Sequence, residues 1–94
     1  MKLIKFEHQI AYRFILTFEN GETREVDLKS LIGNHVTLET IETARINQEW
    51  GCLEFKEGKV DIEPKTLYKY ATGHLMSGRN YSETVSRGTR VRPD

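Results

Sequence analysis

Hydrophobic and polar positions alternate most cleanly between Tyr12 and Glu19. Tyr12, Phe14, Leu16 and Phe18 fall on one side of an extended chain, and Arg13, Ile15, Thr17 and Glu19 on the other. Period-two alternation with aromatic and β-branched residues marks a half-buried strand. Asn20-Gly21 follows at once. Both residues tolerate positive φ, so the pair predicts a tight type I′ hairpin turn. The return strand, Glu22 to Val26, is mostly polar. Such charges suit a sheet edge, where they discourage pairing with other molecules.

Weaker periodicities fill in the rest. Lys2 to His8 predicts a first strand with Ile4, Phe6 and His8 on one face and Lys5 and Glu7 on the other. Asp27 is placed to cap a short helical turn over Leu28–Ile32, which Gly33 ends. Asn34 to Thr43 reads as a loop with one helical turn, in which Leu38 and Ile41 are spaced together and Thr37 caps. Thr43 to Gln48 predicts a strand with Ala44 and Ile46 inward. Trp50 to Lys56 predicts another, with Leu53 and Phe55 opposite Cys52 and Glu54. Glu57-Gly58 reads as a second hairpin turn, and Lys59 to Ile62 as its return, with Val60 and Ile62 inward. Pro64 suits the first position of a helix. The helix runs to Thr72 or Leu75, with Leu67, Tyr70, Ala71 and Leu75 as its apolar stripe and Gly73 as a stop. The fold class that follows is α+β: a small, mostly antiparallel sheet built from β-hairpins with one C-terminal helix packed on it.

Beyond Met76 apolar residues nearly vanish. Residues 1–76 are therefore expected as one domain and 77–94 as a flexible arginine-bearing tail. The 14 basic and 14 acidic residues balance. Four arginines against Glu83 and Asp94 give the tail +2, which leaves the domain at −2. A balanced total disfavours a dedicated nucleic-acid-binding domain. At 94 residues the fold has room for a modest core but not for a deep enclosed active site. One cysteine excludes a disulfide within the chain. A reducing, cytoplasmic setting is expected, with no signal peptide and no membrane span.

Candidate chemistry is sparse. His8, His35 and His74 show no metal-ligand spacing. Cys52 reads as a small buried hydrophobe rather than a nucleophile. Asp61 and Glu63 share a strand face, as paired general acid/base or cation-binding carboxylates would. Their plainer roles are closing the strand and sitting at a helix N-terminus. Tyr12, Phe14 and Phe18 lack the interleaved cations of a base-stacking platform and are expected in the core. Trp50 and Tyr68 each have an edge that prefers water. With Asp61 they are the candidates for a pocket. No cofactor and no metal are expected.

The ordered blocks are Tyr12-Arg13-Phe14-Ile15-Leu16-Thr17-Phe18, Asn20-Gly21-Glu22, Val26-Asp27-Leu28, Trp50-Gly51-Cys52-Leu53-Glu54-Phe55, Gly58, Val60-Asp61-Ile62-Glu63-Pro64 and Leu67-Tyr68. Together they resemble the bacterial domain of unknown function family 2442, over about residues 3–70. The resemblance implies a small α+β fold and carries no assigned activity. It also implies members fused to a helix-turn-helix domain, or set beside a second small protein in a toxin–antitoxin-like pair. This chain departs from the pattern at Glu54, and it shows no helix-turn-helix after Tyr70.

The leading expectation is a non-enzymatic protein-interaction module, antitoxin-like or inhibitory, whose partner is encoded next to it. Its contact candidates are Arg24 on the polar hairpin edge and Arg79, Tyr81, Arg87, Arg90 and Arg92 in the tail. Weak nucleic-acid association through the basic tail is one alternative, and it should fall steeply with salt. A small-ligand domain centred on Trp50, Asp61 and Tyr68 is the other. A homodimer through a sheet edge fits the same pattern.

Overall fold

The computed structural model describes residues 1–73 and 89–92. Among these residues seven strands and two α-helices follow in order: β1 (Leu3–His8), β2 (Arg13–Phe18), β3 (Thr23–Asp27), α1 (Lys29–Ile32), β4 (Arg45–Ile46), β5 (Leu53–Phe55), β6 (Val60–Ile62), α2 (Pro64–Ala71) and β7 (Thr89–Val91). They make a three-stranded antiparallel sheet, β1-β2-β3, and a four-stranded one, β4-β5-β6-β7. This is the small antiparallel α+β architecture that the alternation predicts, divided between two sheets.

The core forms where the inward faces of the two sheets meet. Phe14, Leu16 and Phe18 from β2 are fully buried, as are Leu53, Phe55, Val60 and Ile62 from β5 and β6. Phe14 and Phe55 meet edge-on with ring centroids 6.1 Å apart, a preferred aromatic geometry. Helix α2 closes the core with Leu67. Its Tyr68 ring stands edge-on to Phe18 at 5.2 Å. The long connection after α1 is tied down by the Tyr12 hydroxyl, which donates to the Val36 carbonyl at 2.6 Å.

Several local expectations change. The hairpin turn is not type I′: Gly21 takes φ +89°, while Asn20 is not among the residues at positive φ. Gly21 N–H donates to the Phe18 carbonyl and Phe18 N–H to the Glu22 carbonyl. This is the longer turn in which one left-handed residue follows a type I turn. On β1 a bulge between Leu3 and Lys5 shifts the register. The bulge reverses the alternation, so Leu3 is buried and Ile4 is 57% exposed. In the connection Ile41 is buried and Leu38 exposed. Gly33 stays helical at φ −57°, whereas Gly73 at φ +84° ends α2. Leu75 and His74 lie outside the described residues.

The chain's last described piece belongs to the sheet. Thr89–Val91, within the segment expected as a tail, pairs antiparallel with β6. Local sequence gives little sign of it, because Val91 is half-exposed and adds nothing to the core. What holds β7 is a partner remote in sequence, Asp61.

Candidate functional site

Two acids stand in otherwise apolar strands, Leu53-Glu54-Phe55 and Val60-Asp61-Ile62. Strand alternation turns both away from the core. The register then places Arg45, Glu54, Asp61 and Arg90 side by side across the four strands. Two like charges directly opposite each other repel, and Glu54 and Asp61 are respectively 8% and 2% exposed. The flanking cations resolve this. Arg45 Nε donates to Glu54 Oε1 at 3.1 Å, and Asn47 reaches Glu54 Oε2 at 3.4 Å. Arg90 Nε donates to Asp61 Oδ1 at 2.6 Å, and Arg92 Nη1 bonds Asp61 Oδ2. Arg90 also reaches Glu63 Oε1 and Cys52 Sγ, each at 3.3 Å. Its guanidinium pKa is raised, first by the bond to Asp61. Burial pushes the Cys52 thiol up, and so disfavours the nucleophilic thiolate.

A groove of about 650 Å³ lies over this row. Cys52, Glu54, Asp61, Glu63, Arg90 and Arg92 line it, with Trp50 among its walls. Trp50 is 65% exposed. Its loop is set by Asn47, whose side-chain oxygen accepts the N–H groups of Glu49 and Trp50 at 3.0 Å each. Gly51 follows at φ +73°. A Cβ there would lie 2.5 Å from Lys2 Cβ. This close approach brings β1 against the loop, where Leu3 N–H donates to the Gly51 carbonyl.

The groove joins two of the three pocket candidates, Trp50 and Asp61. Tyr68 does not line it. Its hydroxyl turns to the first hairpin and donates to Glu22 Oε1 at 2.5 Å. That bond raises the Tyr68 pKa and is the first cause lowering that of Glu22. Among the contact candidates, Arg24 pairs with Glu22 on the β3 edge at 2.6 Å. Arg90 and Arg92 sit on Asp61. Arg79, Tyr81 and Arg87 lie outside the described residues. Asp61 sits mid-strand beneath two arginines instead of closing the strand, and Glu63 precedes α2 without a side-chain cap bond. Asp27 does accept the Lys29 N–H at 2.9 Å. His8 bonds the Ala11 carbonyl through Nε2 and packs on Phe14. Among the described residues, no three His, Cys, Asp or Glu side chains gather as metal ligands would. No described helix is long and apolar enough to cross a membrane.

The four-strand charge row escaped sequence reasoning. The available signal was a lone acid flanked by large apolar residues in each of two successive strands. A family model described as "Protein of unknown function (DUF2442)" matches residues 3–73. No curated protein and no solved structure matches the chain.

Proposed function

The chain belongs to that family of unknown function, DUF2442, and we propose that it is a non-enzymatic module that binds a protein partner through the groove over β5 and β6. An antitoxin-like or inhibitory role, with a partner encoded beside it, is the specific form of this reading. The observation that carries it is Trp50, held largely in solvent at the wall of a charged groove. Large exposed aromatics flanked by arginines are the usual anchors of interfaces. The reading also fits Cys52, whose thiol pKa is pushed up by burial, away from the thiolate form that a nucleophile needs.

Trp50 is the chain's only tryptophan, so its fluorescence reports on the groove alone. Tagged full-length chain and its Trp50→Ala variant are compared for capture of the adjacent gene's product. Wild-type capture in the micromolar range, weakened at least about tenfold by the substitution, is the expected result. Equal capture by both chains, or none by the wild type, removes the proposal.

The groove's size supports a second reading, since small-molecule sites span about 300–1,000 Å³. A ligand there would touch Trp50 and the Asp61 row but not Tyr68. The nucleic-acid reading draws less support, because Arg90 and Arg92 already neutralise Asp61.

A further inference from the structure

The groove over β5 and β6 separates its charges by depth. Its floor carries the buried carboxylates of Glu54 and Asp61. Its cations reach the surface: the Arg90 and Arg92 side chains are 42% and 53% exposed. Lys65, in the first turn of α2, lines the same groove, is exposed, and makes no ion pair among the described residues. Asp61 and Glu63 offset Arg90 and Arg92, and Arg45 offsets Glu54. Lys65 therefore leaves a net positive charge where a ligand would arrive. A guanidinium has five N–H donors. Arg92 uses only Nη1 in its contacts with Gly58 and Asp61, so its Nε and Nη2 keep donors for a ligand.

Resting on the proposal that this groove binds a protein, we infer that it selects a peptide segment carrying one carboxylate next to an apolar or aromatic side chain. The carboxylate takes the remaining donors of Arg92 in charge-assisted hydrogen bonds, and Lys65 adds its charge from the same lining. The apolar side chain covers the exposed indole of Trp50, as interface anchors do. Glu63 sets the limit on charge. It is 41% exposed in the same lining and is shared only with Arg90, so a second carboxylate meets it as a like charge, which rejects the wrong partner. A run of phosphates meets the same repulsion. A nucleic-acid backbone also needs a longer basic track than Lys65, Arg90 and Arg92 provide.

Selection of short random peptides displayed on phage against the full-length chain tests this. Enriched sequences are made as synthetic peptides, each with a partner in which every Asp is replaced by Asn and every Glu by Gln, and binding is measured by titration calorimetry. The enriched peptides are expected to carry an acid close to an apolar or aromatic side chain and to bind in the micromolar range. Amidation should weaken them at least about tenfold, and so should Trp50→Ala. Lys65→Glu, an exposed change that leaves Asp61 and its arginines in place, should weaken them about two- to fivefold. Trp50-dependent peptides that bind equally well as amides, or at least as well to Lys65→Glu, overturn the inference and leave the groove as a protein-binding surface. The absence of any peptide whose binding depends on Trp50 overturns both. A single-stranded oligo(dT) probe that binds through Trp50 more tightly than any peptide overturns it in favour of nucleic acid.

Discussion

The two sheets handle charge in opposite ways. On the three-stranded sheet the ionic residues lie outside and pair with near neighbours across exposed surface, Arg13 with Glu25 at 3.3 Å and Arg24 with Glu22 at 2.6 Å. The inner face of β2 is purely apolar and aromatic. On the four-stranded sheet two carboxylates are buried on the face away from the core, and half-exposed arginines come to them from both edges. Exposed pairs contribute about 0–1 kcal/mol. A buried carboxylate stripped of its cations costs several times that. The first sheet is thus held mainly by packing, and its exposed ion pairs add little. The second depends on an ionic row that also forms the floor of a groove.

If the two sheets share one core, damage to either should reach both. Phe14→Ala removes a fully buried ring that bridges them through Phe55. We expect a loss of about 3–5 kcal/mol, with far-UV dichroism and Trp50 fluorescence melting together. Separate transitions by the two probes would mean that the sheets fold independently.

The ionic row gives the next largest effect, and its asymmetry is informative. Arg90→Ala/Arg92→Ala leaves Asp61 buried beside Glu54 with no cation from β7, which should cost about 3 kcal/mol. Asp61→Asn removes one of two repelling carboxylates and leaves half-exposed arginines that water can solvate. It should cost only about 1–2 kcal/mol. Urea titrations of both variants decide the order. An equal or reversed ranking would mean that β7 is held by its backbone ladder rather than by charge.

This contrast also explains how much was legible beforehand. The first sheet is local: each strand pairs with its sequence neighbour, and Tyr12 to Phe18 carries its own alternation. Only the turn type and the β1 bulge escaped, because both depend on backbone register rather than residue type. The second sheet is non-local. Glu54 and Asp61 look out of place in apolar strands until Arg45 and Arg90 are brought beside them, and Arg90 lies 29 positions beyond Asp61. Thr89-Arg90-Val91-Arg92 has too few apolar residues to announce a strand. Trp50 and Asp61 were identifiable as site residues by type, but the groove that joins them required the sheet's register. Tyr68, grouped with them by type, belongs to the other sheet through Glu22.

The Tyr68–Glu22 bond links helix α2 to the first sheet and has a definite pH signature. It holds the Glu22 pKa down and the Tyr68 pKa up. The lowered carboxylate stabilises the fold above its unfolded pKa of about 4.3, and that contribution disappears as pH falls through the folded value. The raised phenol stabilises the fold below its unfolded pKa of about 10, and that contribution is lost as pH rises through the folded value. Tyr68→Phe deletes the phenol's contribution and the largest part of Glu22's, while the Asn20 and Arg24 contacts of Glu22 stay in place. The stability gap between wild type and variant should be widest across neutral pH and narrow below about pH 4, read from urea midpoints between pH 3 and 8. A gap independent of pH would show that the ring's packing on Phe18, and not the hydrogen bond, is what Tyr68 contributes.

The smallest effect is expected at Arg24, and its smallness is the point. Arg24 lies on the β3 edge, where the polar strand first suggests a binding surface. Its guanidinium reaches Glu22 Oε2 and the carbonyl of Thr23, so its contacts are local and close to solvent. Arg24→Ala should change stability by less than about 0.5 kcal/mol. It should leave capture of a protein partner unchanged while Trp50→Ala weakens it. The polar edge then serves only to keep the hairpin from pairing with other sheets, and recognition belongs to the four-stranded sheet. Loss of capture in Arg24→Ala with intact capture in Trp50→Ala would reverse that assignment and place the interaction surface on the hairpin edge.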